Sequence, residues 1–206
     1  MTSKVTKTEA LKVFEKNINR ARAFLRIFGK GEEGRRQGQP TNDEKELLRG
    51  SLVFAVGALD AYLSDLILEI VPKHAPKNEH VQKALSAIAK SDPGLVLRVS
   101  LAPDDKSRRD EFRDALAAWL ENQSFHGPKK VMIALDHVGC TLKWSEFDSK
   151  TEIDTATELD RVTKERHGIV HRGEKPDVRK DPAEKTVDLI ETIAKTVDAA
   201  VIKHYT

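Results

Sequence analysis

The sequence has little of what most chemistry-bearing chains display. A single cysteine, Cys140, stands among 206 residues, which excludes an intramolecular disulfide and a cluster of thiolate metal ligands. It follows Gly139 and has no evident base, so a nucleophilic role is not expected. Aromatics make up only 5% of the chain. Trp119 and Trp144 lack a surrounding basic stripe and are read as core or lid residues, not base-stacking platforms. Charge of one sign is also missing: 35 Lys and Arg are interleaved with 33 Asp and Glu, for a net +2. That excludes a uniformly basic nucleic-acid coat and confines any nucleic-acid contact to a local patch. No apolar run is long and clean enough to span a bilayer. The longest, from about residue 51 to 71, is broken by Asp60, Ser64, Asp65 and Glu69, and reads as a buried helix. The first residues, MTSKVTKTEALKVFEKN, lack the apolar core of a signal peptide. The expectation is one domain over 1–206 in the reducing cytoplasm, without membrane contact and without a cofactor.

What is present is helical periodicity. Leu11, Phe14, Ile18, Ala21, Leu25 and Phe28 recur every three or four residues, predicting a helix from about residue 5 to 28. The glycine-rich stretch that follows, about 29–43, is expected as a flexible loop. Asn42 or Asp43 can then cap a second helix that stops before Pro72, with Leu48, Leu52, Ala55, Leu59, Tyr62, Leu66 and Ile70 as its stripe. About 72–154 reads as an irregular central insertion with short helices near 77–90, 104–122 and 128–139. The run LVLRVSL is left open between strand and buried turn. Two strong helices close the chain, about 155–172 and 181–204, the latter opened by Asp181-Pro182. The fold class is all-α: an up-and-down bundle of four to five long helices with short accessory helices.

The stretch ERHGIVHRGE, residues 165–174, breaks the amphipathic pattern. At about 100° per residue, Leu159, Val162, Ile169 and Val170 all fall within about 60° of Arg166. A guanidinium therefore points along an apolar face. It stays charged at any relevant pH, and burying it without a partner is costly. The pattern calls for a carboxylate such as Asp60 or Asp65, a second subunit, or an anionic ligand. A plain internal salt bridge is the structural alternative. His167 and His171 lie at about 100° and 140° on the same wheel. Arg offers a bidentate fork for phosphate and His moves protons near neutral pH. On a strict helix His171 sits well round from Arg166, so the arginine's length, an irregularity at Gly168, or a second copy must bring them together.

Arg166-His167-Gly168-Ile169-Val170-His171 resembles the Arg-and-His signature of the HEPN superfamily, and RHGIVHRGE looks like its RiboL-PSP-HEPN branch. Two further stretches carry the likeness. RGSLVFAVGALDAYLSDLILEIV, with Asp60 and Tyr62, is similar to the family's central helix. NQSFHGPKKVMIALDHVGCTLKW is similar to its phenylalanine-proline linker and following helix. The resemblance covers about residues 44–200. It implies a helical bundle, usually a homodimer with a composite site, and metal-independent endoribonuclease activity in a toxin–antitoxin or phage-defence setting, with an antitoxin or sensor as a possible partner. Arg166 and His171 would be the catalytic pair and His167 the supporting polar residue, at a position that often holds Asn in the family. Asp60 would be a supporting acid, and Arg172, Lys129 and Lys130 would bind RNA.

The chemistry would be simple. RNA supplies its own 2′-OH nucleophile. Neutral His171 can act as general base, and Arg166 can hold the phosphorane oxygens. The acid would be His167 or the His171 of a second copy. Two rivals stand beside this. His167 and His171, four apart on a helix, could hold Zn²⁺ or Ni²⁺, but Gly168 stands where the zinc-protease pattern has glutamate, and no metal is expected. The bundle could also be a non-catalytic RNA-binding or protein-interaction module. The loop with Arg35 and Arg36 could touch phosphates or simply be solvated, and His74, His80, His126, His137 and His204 are read as surface or capping residues.

Overall fold

The computed structural model describes residues 6–34 and 39–206, which form nine α-helices and no strand. Four helices are long: α1 (Glu9–Gly34), α2 (Asn42–His74), α8 (Thr155–Arg172) and α9 (Lys180–Tyr205). Five shorter ones lie between them: α3 (Glu79–Ser91), α4 (Leu95–Leu101), α5 (Asp105–Leu120), α6 (Pro128–His137) and α7 (Trp144–Thr151).

The axis of the bundle is α2, packed against α1, α5, α6, α8 and α9. It buries its expected stripe and also Val56, Leu63 and Ile67 on another side. A helix apolar on more than one face is stable only when several neighbours cover it. By length and apolar content α2 could cross a membrane, but here those faces are taken by other helices. Phe14, Ile18, Ala21, Leu25 and Phe28 of α1 and Val187, Ile190, Ala194, Val197 and Val201 of α9 complete the core. Each fully buried Leu, Ile or Phe among them contributes roughly 1.5–3 kcal/mol.

Several boundaries differ from the sequence pattern. The expected loop from residue 29 is still helix as far as Gly34. The extra turns are tethered by an ion pair, Glu32 to Lys180, 2.9 Å, at the start of α9. Arg35 and Arg36 lie outside the described residues. The cap of α2 is Thr41 rather than Asn42 or Asp43. Its hydroxyl accepts the Glu44 N–H at 3.2 Å while the Glu44 carboxylate accepts the Thr41 N–H at 2.7 Å, a reciprocal capping box. Pro72 falls inside the last turn of α2, where the Ala75 N–H still reaches the Val71 carbonyl. The run LVLRVSL is neither strand nor buried turn. It is α4, with only Leu95 buried, pinned by Arg98 to Asp92 and Glu111. Helix α7 was not expected, and α9 begins at Lys180, which places Asp181 and Pro182 inside its first turn.

Candidate functional site

Helix α8 carries the RHGIVH segment. Asp154 caps its start, accepting the Thr157 N–H at 2.9 Å. Gly173 ends it at φ 65, and the Glu174 N–H closes onto the Gly168 carbonyl at 3.1 Å, a left-handed glycine closure. Between these ends the helix is regular. Arg166 Nη1 nevertheless lies 3.3 Å from His171 Nε2, so the length of the arginine, not a kink, brings the pair together. Arginine can only donate. The contact therefore uses the Nε2 lone pair, with the imidazole proton on Nδ1. The His167 ring lies beside that of His171, centroids 4.7 Å apart.

Leu159 and Val162 are buried as the wheel predicts, but Ile169 is only half-buried and Val170 is 44% exposed. The apolar face fades toward the end of α8. Gly168, on the opposite side, is buried because Glu174 folds back over it. A Cβ there would run into the Glu174 carboxylate. Arg166 is half-buried and its Nε is enclosed without a hydrogen-bond partner.

The internal salt bridge weighed for Arg166 does not form. The Asp60 carboxylate is engaged elsewhere: Oδ1 accepts the Phe125 N–H at 2.5 Å, and Oδ2 lies 3.5 Å from His126 Nδ1. Burial pushes the Asp60 carboxyl up, but His126, the Phe125 N–H and the positive charge of Arg166 together hold it below its ordinary value. Asp65 lines a separate hollow beside Arg113, where burial raises its carboxyl. Asp60 thus fixes the linker before α6, and Thr163, one turn before Arg166, donates to the His126 carbonyl at 3.0 Å.

Two features escaped the sequence reading. His126 is half-buried, with Nδ1 2.7 Å from Ser124 Oγ as well as near Asp60. It is not a plain surface or capping residue. Neither is His137, which is buried with Nδ1 donating to the Ile133 carbonyl at 2.7 Å. The second feature is a hollow of about 320 Å³ beside Arg166, walled by Asn17, Arg20, Val53, Phe54 and Gly57 from α1 and α2. The only signal in the sequence was a polar edge on α1, with Asn17 and Arg20 three residues apart.

The remaining candidates are spread out. Lys129 and Lys130 line a different hollow with Ala156, Thr157 and Asp160. Thr157 is nine residues before Arg166, roughly 14 Å along the helix. Arg172 is exposed, 3.6 Å from Glu174. Among the described residues no three potential ligands from His, Cys, Asp and Glu gather as they would around a metal. Cys140 is buried, which raises its thiol above the ordinary range and leaves it a poor nucleophile. The chain between α8 and α9 is held by Arg49, whose Nε donates to the Pro176 carbonyl at 2.9 Å and Nη2 to that of Lys175 at 3.3 Å.

A family model described as RiboL-PSP-HEPN matches residues 15–203. The chain belongs to the RiboL-PSP-HEPN family. That match takes in all four long helices, so this HEPN bundle includes most of α1 as well as the α8 motif. HEPN membership carries ribonuclease or RNA-binding chemistry as the coarse functional class. No curated protein and no solved structure matches the chain.

Proposed function

We propose that this HEPN protein is a metal-independent endoribonuclease that cuts RNA by attack of the neighbouring 2′-OH. The observation that carries the reading is the Arg166–His171 contact: a guanidinium in no direct ion pair among the described residues, 3.3 Å from an imidazole nitrogen. A charged fork with no carboxylate in direct contact, at the edge of a hollow, suits a phosphate better than it suits stability.

In this mechanism an arriving phosphodiester draws the Arg166 guanidinium onto its non-bridging oxygens. That releases the Nε2 lone pair of His171, which takes the 2′-OH proton. Arg166 then holds the growing charge on the phosphorane. The proton for the leaving 5′-oxygen comes from His167 or from the His171 of a second copy, and the working form is a homodimer with a composite site. Asp60 acts at one remove, keeping the 122–127 linker against α8. Arg172 serves a phosphate beside the cut, and Lys129 and Lys130, in their separate hollow along α8, serve phosphates further out on the strand. Such an enzyme fits a cytoplasmic toxin–antitoxin or defence role, restrained by an antitoxin or sensor protein.

The test is incubation of the purified protein with labelled tRNA and mRNA in EDTA, followed by mapping of the ends. The reading expects 2′,3′-cyclic phosphate (or its opened form) and 5′-hydroxyl ends, with DNA of the same sequence intact. Binding without any cut would make the protein a non-catalytic RNA-binding module. Cleavage abolished by EDTA would exclude the mechanism.

A further inference from the structure

The hollow beside Arg166 has a composition the cleavage chemistry does not require. Two guanidinium-bearing residues, Arg20 and Arg166, reach it from different helices, and among the described residues no acidic side chain lines it and none pairs with Arg20. Its Cζ instead sits 5.1 Å from the centre of the Phe54 ring. Phe54 is 38% exposed, unusual for a ring on the central helix, and is braced from behind by Phe24 at 5.2 Å. Val53 and Gly57 continue the floor, one turn apart on α2. A Cβ on Gly57 would meet nothing within 4 Å. The glycine there leaves open space rather than accommodating a close neighbour. Arg166 Nε, enclosed and unpartnered, lies on the same side chain that reaches His171.

We propose that this hollow is a subsite for one unstacked nucleotide next to the reacting phosphate. The base lies over Val53 and Gly57 against the Phe54 ring, Asn17 meets its polar edge, and Arg20 takes the adjoining phosphate. Aromatic rings and guanidinium planes are the surfaces on which splayed-out bases stack, and a paired base in a duplex cannot enter such a recess. The subsite thus makes the protein selective for single-stranded RNA. This inference rests on the endoribonuclease reading for its substrate class, but it concerns binding and is measured separately.

The probe is a fluorescein-labelled single strand with 2′-O-methyl sugars throughout, which cannot be cut because its 2′-oxygens are blocked, and the same strand in a duplex. Anisotropy is recorded with the full chain, wild type and the variants Gly57→Leu, Phe54→Ala and Arg20→Gln. The subsite predicts preference for the single strand and roughly tenfold weaker binding in each variant, the effect of losing one stacked base or one phosphate contact. Equal affinity for single strand and duplex, or variants that bind like wild type, would overturn the proposal even if the wild type cuts ordinary RNA. Unchanged RNA affinity with an altered sedimentation behaviour in Gly57→Leu would do the same, assigning the hollow to a second copy of the chain. Arg20, on the exposed rim, keeps the test valid should Gly57→Leu fold poorly. A wild type that binds selectively but cuts nothing would end the nuclease reading and leave the subsite standing.

Discussion

Arg166 and His171 touch, Nη1 to Nε2 at 3.3 Å, across more than one full turn of an unbroken helix. In the proposed mechanism this contact ties two functions to one event: the imidazole lone pair is engaged while the guanidinium donates to it, and becomes available to take a proton once a phosphate draws the guanidinium away.

The linker before α6 tests how far Asp60 supports that pair. Its carboxylate holds the Phe125 N–H and the His126 ring. Asp60→Ala leaves a half-buried N–H without a partner and should cost about 1–3 kcal/mol of stability. Asp60→Asn keeps an acceptor and should cost less. RNA cleavage should fall in both, further in the alanine variant. Thermal unfolding beside initial cleavage rates checks this. Equal rates in wild type and Asp60→Ala would remove Asp60 from the site.

Acid should destabilise the fold through His137. Burial lowers its folded value below the ordinary 6.5, outweighing the bond to the Ile133 carbonyl, and Nε2 is enclosed without a partner. The unfolded chain therefore binds the proton first. The stability held by neutral His137 is complete above about 6.5 and is lost as pH falls through the lowered folded value. Urea midpoints from pH 7.5 to 5 should decline more steeply for wild type than for His137→Leu. Parallel declines would contradict the assignment.

Arg49 secures the segment that follows the site helix. It is buried, and its guanidinium bridges two backbone carbonyls and Glu46. Arg49→Met should cost about 2–4 kcal/mol, since the bonds lost are charge-assisted. It should also speed amide exchange over residues 173–178 more than in α1. Uniform exchange across the chain would show that Arg49 is not a local clamp.

The long helices were legible in the sequence because their apolar spacing is set by the same packing that forms them. Phe14 through Phe28 and Val187 through Val201 read as core and are core. Boundaries were less legible where a distant partner decides them. Nothing near Gly29 signals that Glu32 will pair with Lys180, 148 residues away. The RHGIVH stretch stands out in the sequence as a candidate because a charged residue on an apolar stripe is costly wherever the helix packs. Its surroundings were not. His126 looks like any loop histidine until the fold sets it against Asp60, and the Arg20–Phe54 hollow exists only once α1 lies along α2. The wheel also overextended the core to Val170, because periodicity does not reveal where a neighbouring helix stops.

The most direct measurement of the central claim is the EDTA-resistant rate of RNA cleavage for His171→Ala and Arg166→Lys, recorded with their melting curves. The account predicts that both melt like wild type while cleavage falls at least about a hundredfold, the scale of losing a general base or a transition-state donor. Wild-type cleavage by a folded His171→Ala protein would contradict it.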